Sequence, residues 1–170
     1  SYLLTPSTVC LAIPLYRHTN NIGATATVKV IAGAYQPQEM GPELVPPAPA
    51  PDSWAAKADN DVAIWLVSLE PGAQLTLPPA RDERSLRTLY YHLGDGLSVA
   101  GQSASGHELF EVDAGTPVLL HNSGSQPARV MVLQAVPIRA PVAAMGPFVM
   151  NTDEELLQAR RDFGRTQFGG

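Results

Sequence analysis

The chain has 170 residues, 45 % of them hydrophobic and 16 % charged, with a net charge of −5. A domain of that length buries roughly 70 % of the surface its unfolded chain exposes. Its 11 basic residues are scattered, which argues against a direct nucleic-acid surface, and no apolar run is long enough to cross a bilayer as a helix. A single cysteine, Cys10, permits no internal disulfide and points to a reducing, cytoplasmic setting. The 14 glycines and 16 prolines imply many turns, which suits an all-β fold.

Residues 1–23 read as an N-terminal arm or linker. Residues 1–15 lack a basic n-region and are interrupted by Pro6 and Pro14, which argues against a signal peptide. Tyr2, Leu3, Leu4, Val9, Leu11, Ile13 and Leu15 make the segment too apolar for a free tail. Leaving such side chains in water forfeits roughly 1.5 to 3 kcal/mol each, so the arm is expected to pack on something.

Residues 24–32 (ATATVKVIA) alternate small or polar with branched side chains and stop at Gly33, the pattern of a strand. Six prolines between Pro37 and Pro51 rule out a central strand, because proline gives a ladder no donor. An exposed, extended loop follows, which only Met40, Leu44 and Val45 could anchor. Residues 62–69 (VAIWLVSL) are apolar on both faces, as in a strand covered on both sides. Glu70-Pro71-Gly72 turns the chain into a second strand at 73–77. Residues 86–93 (LRTLYYHL) form another, and Gly94-Asp95-Gly96 predicts a hairpin turn back through 97–100. Strands at 107–112, 117–121 and 129–136 complete a series whose regular spacing reads as a β-sandwich or small barrel.

The end of the chain is the most informative part. Gly146-Pro147 is a turn dipeptide, and Phe148 and Met150 alternate as in an extended segment. Thr152, with Glu155 three residues on, starts a helix with a capping box. That helix is expected over 153–163, with acids in its first turn, Arg160 and Arg161 near its end and Gly164 as its stop. Leu156 and Phe163 on one face should press onto the barrel.

The run Gly146-Pro147-Phe148-Val149-Met150-Asn151-Thr152 resembles the signature near the C-terminus of the pirin family. Val28, Val30, Ile31 and Gly33 match the strand that opens a pirin C-terminal domain, and the order of strands and turns resembles a cupin. The resemblance implies an all-β fold: a single cupin (double-stranded β-helix) barrel with a C-terminal α-helix, residues 24–170 forming the domain. For the family it implies Fe(II) in an N-terminal cupin marked by a His-Pro-His motif, quercetin 2,3-dioxygenase activity in some members, and transcriptional co-regulation in others. Nothing in this chain resembles that N-terminal barrel.

A catalytic cupin carries a His-x-His pair after the Pro-Gly turn, then a Glu and a last His, a set suited to non-haem iron. Here the corresponding positions carry Leu77, Pro79 and, near the later strand, Val118. No cofactor is therefore expected on this chain. His92, His107 and His121 lie on predicted strands, and with Tyr90 and Glu108 they are the candidate lining of a barrel-mouth pocket. Convergence of the three imidazoles would make a metal site; lone strand histidines paired with backbone or solvent are the plainer expectation. Gly94-x-Gly96 has no helix after it, and Ser103 and Ser105 are out of register for a nucleophile elbow.

Two functions are compatible with these features. One is a metal-free C-terminal cupin acting as a structural and docking module, partnered by a second copy, by an N-terminal pirin cupin half, or by another protein. The alternative is a stand-alone cupin that binds a small molecule, or a metal-dependent dioxygenase working through a non-standard site at the barrel mouth.

Overall fold

The computed structural model describes residues 13–38, 41–104 and 106–169. Cys10, Met40 and the apolar residues from Tyr2 to Leu11 lie outside the described residues. The chain divides into two compact units, one ending at Pro137 and the other starting at Ile138.

The first unit is two facing antiparallel sheets. The six-stranded sheet runs β1 (Leu15–Thr19), β2 (Thr25–Ala32), β3 (Ala63–Leu69), β10 (Ala128–Ala135), β5 (Leu86–Leu93) and β8 (Leu109–Val112). The four-stranded sheet runs β4 (Gln74–Leu77), β9 (Val118–Asn122), β6 (Leu97–Val99) and β7 (Gln102–Ser103). From β3 onward the chain passes back and forth between the sheets. The predicted strands stand within a few residues of their expected bounds. β1 lies inside the segment read as an arm, and it pairs with β2 from Leu15 opposite Lys29 to Thr19 opposite Thr25.

Period-two alternation places one side of each strand indoors. Ala26, Val28 and Val30 of β2, Trp65, Val67 and Leu69 of β3, and Val130 and Val132 of β10 meet Leu75, Leu77, Leu97, Val99 and Leu120 in one buried cluster. Tyr35 closes it, its ring 5.1 Å from that of Trp65 in an edge-on arrangement.

The turn at Gly94-Asp95-Gly96 departs from expectation. β5 and β6 do not pair; they belong to different sheets, so the segment is a corner. Asp95 clamps that corner to the β9–β10 turn. Its Oδ1 accepts from the Ser125 and Gln126 amides at 2.9 and 3.0 Å, and its Oδ2 from the Ser125 hydroxyl at 2.7 Å. These bonds, led by the Ser125 hydroxyl, hold its carboxyl below the usual carboxylate range. Gly124 must be glycine here, since a Cβ would run into the Asp95 carboxylate and the Gly96 backbone.

The proline-rich crossover is exposed for most of its length and touches the core at Leu44, which bridges Tyr35. It ends in two short 3-10 turns, Trp54–Ala56 and Ala58–Asn60. The buried Asn60 fastens them: its Nδ2 donates to the Trp54 carbonyl at 2.7 Å, and its own carbonyl accepts from the Val136 amide at 2.8 Å.

The second unit is a hairpin, β11 (Ala143–Met145) and β12 (Phe148–Met150), turned at Gly146 with φ +58°, followed by α1 (Asp153–Thr166). The capping box is formed: the Glu155 amide donates to Thr152 Oγ1, and the Glu155 carboxylate accepts from the Thr152 amide. Two details correct the sequence reading. The helix continues through Gly164 and stops at Gln167, which takes the left-handed conformation at φ 48°. Leu156 is buried, but Phe163 is 45 % exposed and rests against the rings of Phe148 and Phe168.

Candidate functional site

Leu77 of β4 lies directly opposite Val118 of β9 in the four-stranded sheet, and both are buried. These are the positions at which the resemblance to a catalytic cupin would lead one to expect histidines. Saturated side chains have no lone pair to offer, so the residues present do not fit a divalent metal. Among the described residues no three of His, Cys, Asp or Glu gather closely enough to hold one.

In place of ligands, that end of the barrel holds a buried polar cluster. Arg87, the first inward residue of β5, is 1 % exposed. Its Nε and a terminal nitrogen donate to Gln134 Oε1, the former at 2.9 Å, and its other terminal nitrogen donates to the Pro78 carbonyl at 2.7 Å. Its guanidinium stands 5.5 Å from the centroid of the Trp65 ring. Gln134 Nε2 passes the chain on to Asp61 Oδ2 at 2.9 Å, which also accepts from Ser85 Oγ at 2.6 Å. Burial pulls the Arg87 guanidinium below its usual range, and the charge of Asp61 opposes that pull. Register explains the gathering: Gln134 sits opposite Ala63 on one side and Arg87 on the other, so β3, β10 and β5 deliver their inward side chains to one level.

Beside the cluster is a cavity of about 170 Å³. It is bounded by the end of β2 at Gly33, the crossover turns at Ala55 and Lys57, the β3 side chain Trp65, and the β4 exit at Pro79 and Arg81. Arg81 pairs with Glu43 of the crossover. Gly33, at φ +68°, leaves no room for a Cβ against Val62 and Ala63, which keeps the β2 exit tight on β3. The sequence reading missed Arg87, Gln134 and Asp61.

The five residues expected at a barrel mouth are not brought together. Tyr90 and His92 share the outward side of β5, alternating with buried Leu89 and Tyr91. His92 lines a surface pocket with Lys29, Ser68 and Arg129. His107 is exposed beside Leu93 and Asp95, its ring edge-on to Tyr91 at 6.1 Å. Glu108, half-buried, gives its carbonyl to the Tyr91 amide at 2.9 Å. His121 lies on β9 between inward Leu120 and Asn122, on the outer side of the other sheet.

That outward side of β5 belongs to a continuous row. Across the six-stranded sheet, Leu66 faces Met131, Met131 faces Tyr90, and Tyr90 faces Leu109. Leu66, Tyr90 and Leu109 are exposed large apolar residues, and Leu86 lies exposed on the same face. Leu66, Met131, Tyr90 and Leu109 thus form one apolar row on the outer face of the sheet.

Two antiparallel sheets, with the chain passing repeatedly from one to the other, define a cupin barrel. A quercetin 2,3-dioxygenase from Acinetobacter baumannii has this fold: its structure superposes with a TM-score of 0.67 at 23 % identity, covering 93 % of this chain and 48 % of that one. Residues 64–169 match the pirin C-terminal cupin domain, and the chain belongs to the pirin family. Human pirin is 33 % identical over 104 residues, covering 59 % of this chain and 35 % of pirin. A Vibrio cholerae protein named for a proposed quercetin 2,3-dioxygenase activity is 30 % identical over 146 residues, covering 83 % of this chain and 45 % of its own length. The chain thus spans less than half the length of these curated relatives.

Proposed function

We propose that this barrel is the structural and docking half of a two-barrel assembly, and that any iron-dependent dioxygenase chemistry belongs to a partner barrel. The observation that carries this reading is the Leu66–Met131–Tyr90–Leu109 row. Covering these side chains removes apolar surface from water, at roughly 25 cal/mol per Å², and supplies the apolar centre of a larger contact. The partner is an N-terminal pirin cupin half or, lacking that, a second copy of this chain. The inward aliphatic pair Leu77 and Val118 favours the division of labour, since packing rather than ligation occupies the place a metal would need.

Sedimentation of the chain alone, and mixed with a separately expressed N-terminal half of a pirin relative, tests this. The expected result is a two-barrel species, dissociated by Leu66→Lys or Tyr90→Lys. A strict monomer that ignores the N-terminal half would overturn the proposal.

A further inference from the structure

Beside the apolar row, the outer face of the six-stranded sheet carries a basic one. Arg17 of β1 lies opposite Thr27 of β2, Thr27 opposite Ser68 of β3, and Ser68 opposite Arg129 of β10. The apolar row is its neighbour on the same face, two residues along each strand or roughly 7 Å away, and there Lys29 lies opposite Leu66. Where the two rows meet, Lys29, Arg129, His92 and the residues Thr27 and Ser68 line a pocket of about 400 Å³. Leu66 lines it too, so the pocket and the apolar row are one continuous surface.

The charge of that corner is unbalanced. Among the described residues, Arg17, Lys29 and Arg129 make no ion pair. The acid among the outward strand residues of this face is Glu111, on β8, the edge strand beyond β5. The chain as a whole carries a net charge of −5, so the corner reverses the prevailing sign. Complementary potentials align across an interface and like charges exclude a wrong partner, which makes the sign of this corner a statement about what docks on it. A second copy meeting it with the same face would offer these cations only Glu111.

We propose that the pocket receives a carboxylate of the partner, an aspartate or glutamate next to the apolar side chain that covers Leu66, and that Lys29 and Arg129 select it. The inference rests on the docking reading above and adds the sign of the partner's contact and the register in which it seats. The occupant is therefore a different protein, with an acidic group at the edge of its own apolar contact.

The test measures, by sedimentation, the affinity of the chain for a separately expressed N-terminal half of a pirin relative at about 0.05 M and about 0.5 M salt. Binding is expected to weaken at the higher salt. Lys29→Glu and Arg129→Glu are each expected to weaken it about tenfold at the lower salt, with thermal midpoints unchanged. Lys57→Glu, the same charge change at an exposed residue of the crossover, is expected to leave it near wild type. Association broken by Leu66→Lys yet indifferent to salt and to both reversals would overturn this inference and leave the docking reading standing. Self-association as tight as binding to the N-terminal half, and as sensitive to the reversals, would make a second copy the occupant and overturn it too. No association at all would remove the docking reading and this inference with it.

Discussion

Arg87 and Gln134 meet side by side inside the barrel, Nε to Oε1 at 2.9 Å, on neighbouring strands whose Cα atoms are register partners. Both side chains are buried, and the Nε and one terminal nitrogen of Arg87 depend on Gln134 Oε1 for their acceptor. Removing one partner strands the other, and that asymmetry outweighs the modest net value of a paired bond.

Gln134→Leu is therefore expected to destabilise the barrel by about 1.5 to 3 kcal/mol, the usual value of a hydrogen bond to a charged group. Arg87→Met in the same background should recover part of the loss, because the buried guanidinium left without its acceptor is then gone. Urea midpoints of the two single variants and the double variant check this; purely additive losses would contradict it.

The helix unit separates its contributions clearly. Leu156→Ala should cost about 2 to 5 kcal/mol, as for a buried leucine, and Thr152→Ala about 1 kcal/mol for the lost cap. Phe163→Ala should cost less than Leu156→Ala, because that ring is only half covered by Phe148 and Phe168. Melting of the helical circular-dichroism signal gives the order directly.

Acid should loosen the Asp95 clamp. Its folded carboxyl titrates below the ordinary 3.8, so its stabilising effect is complete above that value and is lost as the pH falls through the lower folded one. The wild type is expected to melt above Asp95→Asn at neutral pH, with the gap closing below about pH 4. A gap that does not change with pH would show that the clamp works through shape alone.

Substitutions on the outer face should divide binding from folding. Leu66→Lys and Tyr90→Lys change side chains that point away from the core, so thermal midpoints should move by less than those of the buried-site variants. Association measured by sedimentation should fall sharply.

Alternation made much of the barrel legible in the sequence, because an inward Val28 or Val30 leaves a period-two trace that needs no knowledge of the partner strand. β3, whose two apolar faces predict cover on both sides, is not so covered: its outward Leu66 is exposed. Turn chemistry carried less information. Asp-Gly between two apolar runs serves a corner between sheets as well as a hairpin, and only Ser125 and Gln126, thirty residues downstream, decide which. Gly164 failed as a stop because the helix has other ties at that point, including Thr166 Oγ1 to the Asp162 carbonyl at 2.8 Å.

The polar end was the least legible. In LRTLYYHL both faces carry a leucine and a tyrosine, so the pattern does not say which parity is indoors, and an arginine is read as outward by default. Once Leu89 is known to be inward, Arg87 must be inward too. Its side-chain acceptor, Gln134, is 47 residues away, and no local spacing announces it.

The placement of β10 governs how the barrel is assembled. It lies between β3 and β5 in space yet is the last barrel strand in the chain, pairing Gln134 with Ala63 across some seventy positions. Loop closure of that span must precede the contacts that reward it, which marks the domain as a slow folder, in the millisecond-to-second range typical of such non-local topologies. During synthesis, β3 and β5 emerge with their long edges open, and they stay open until residues 128–135 leave the ribosome. Truncation before β10 would thus leave two unpaired apolar edges, the species most prone to aggregate.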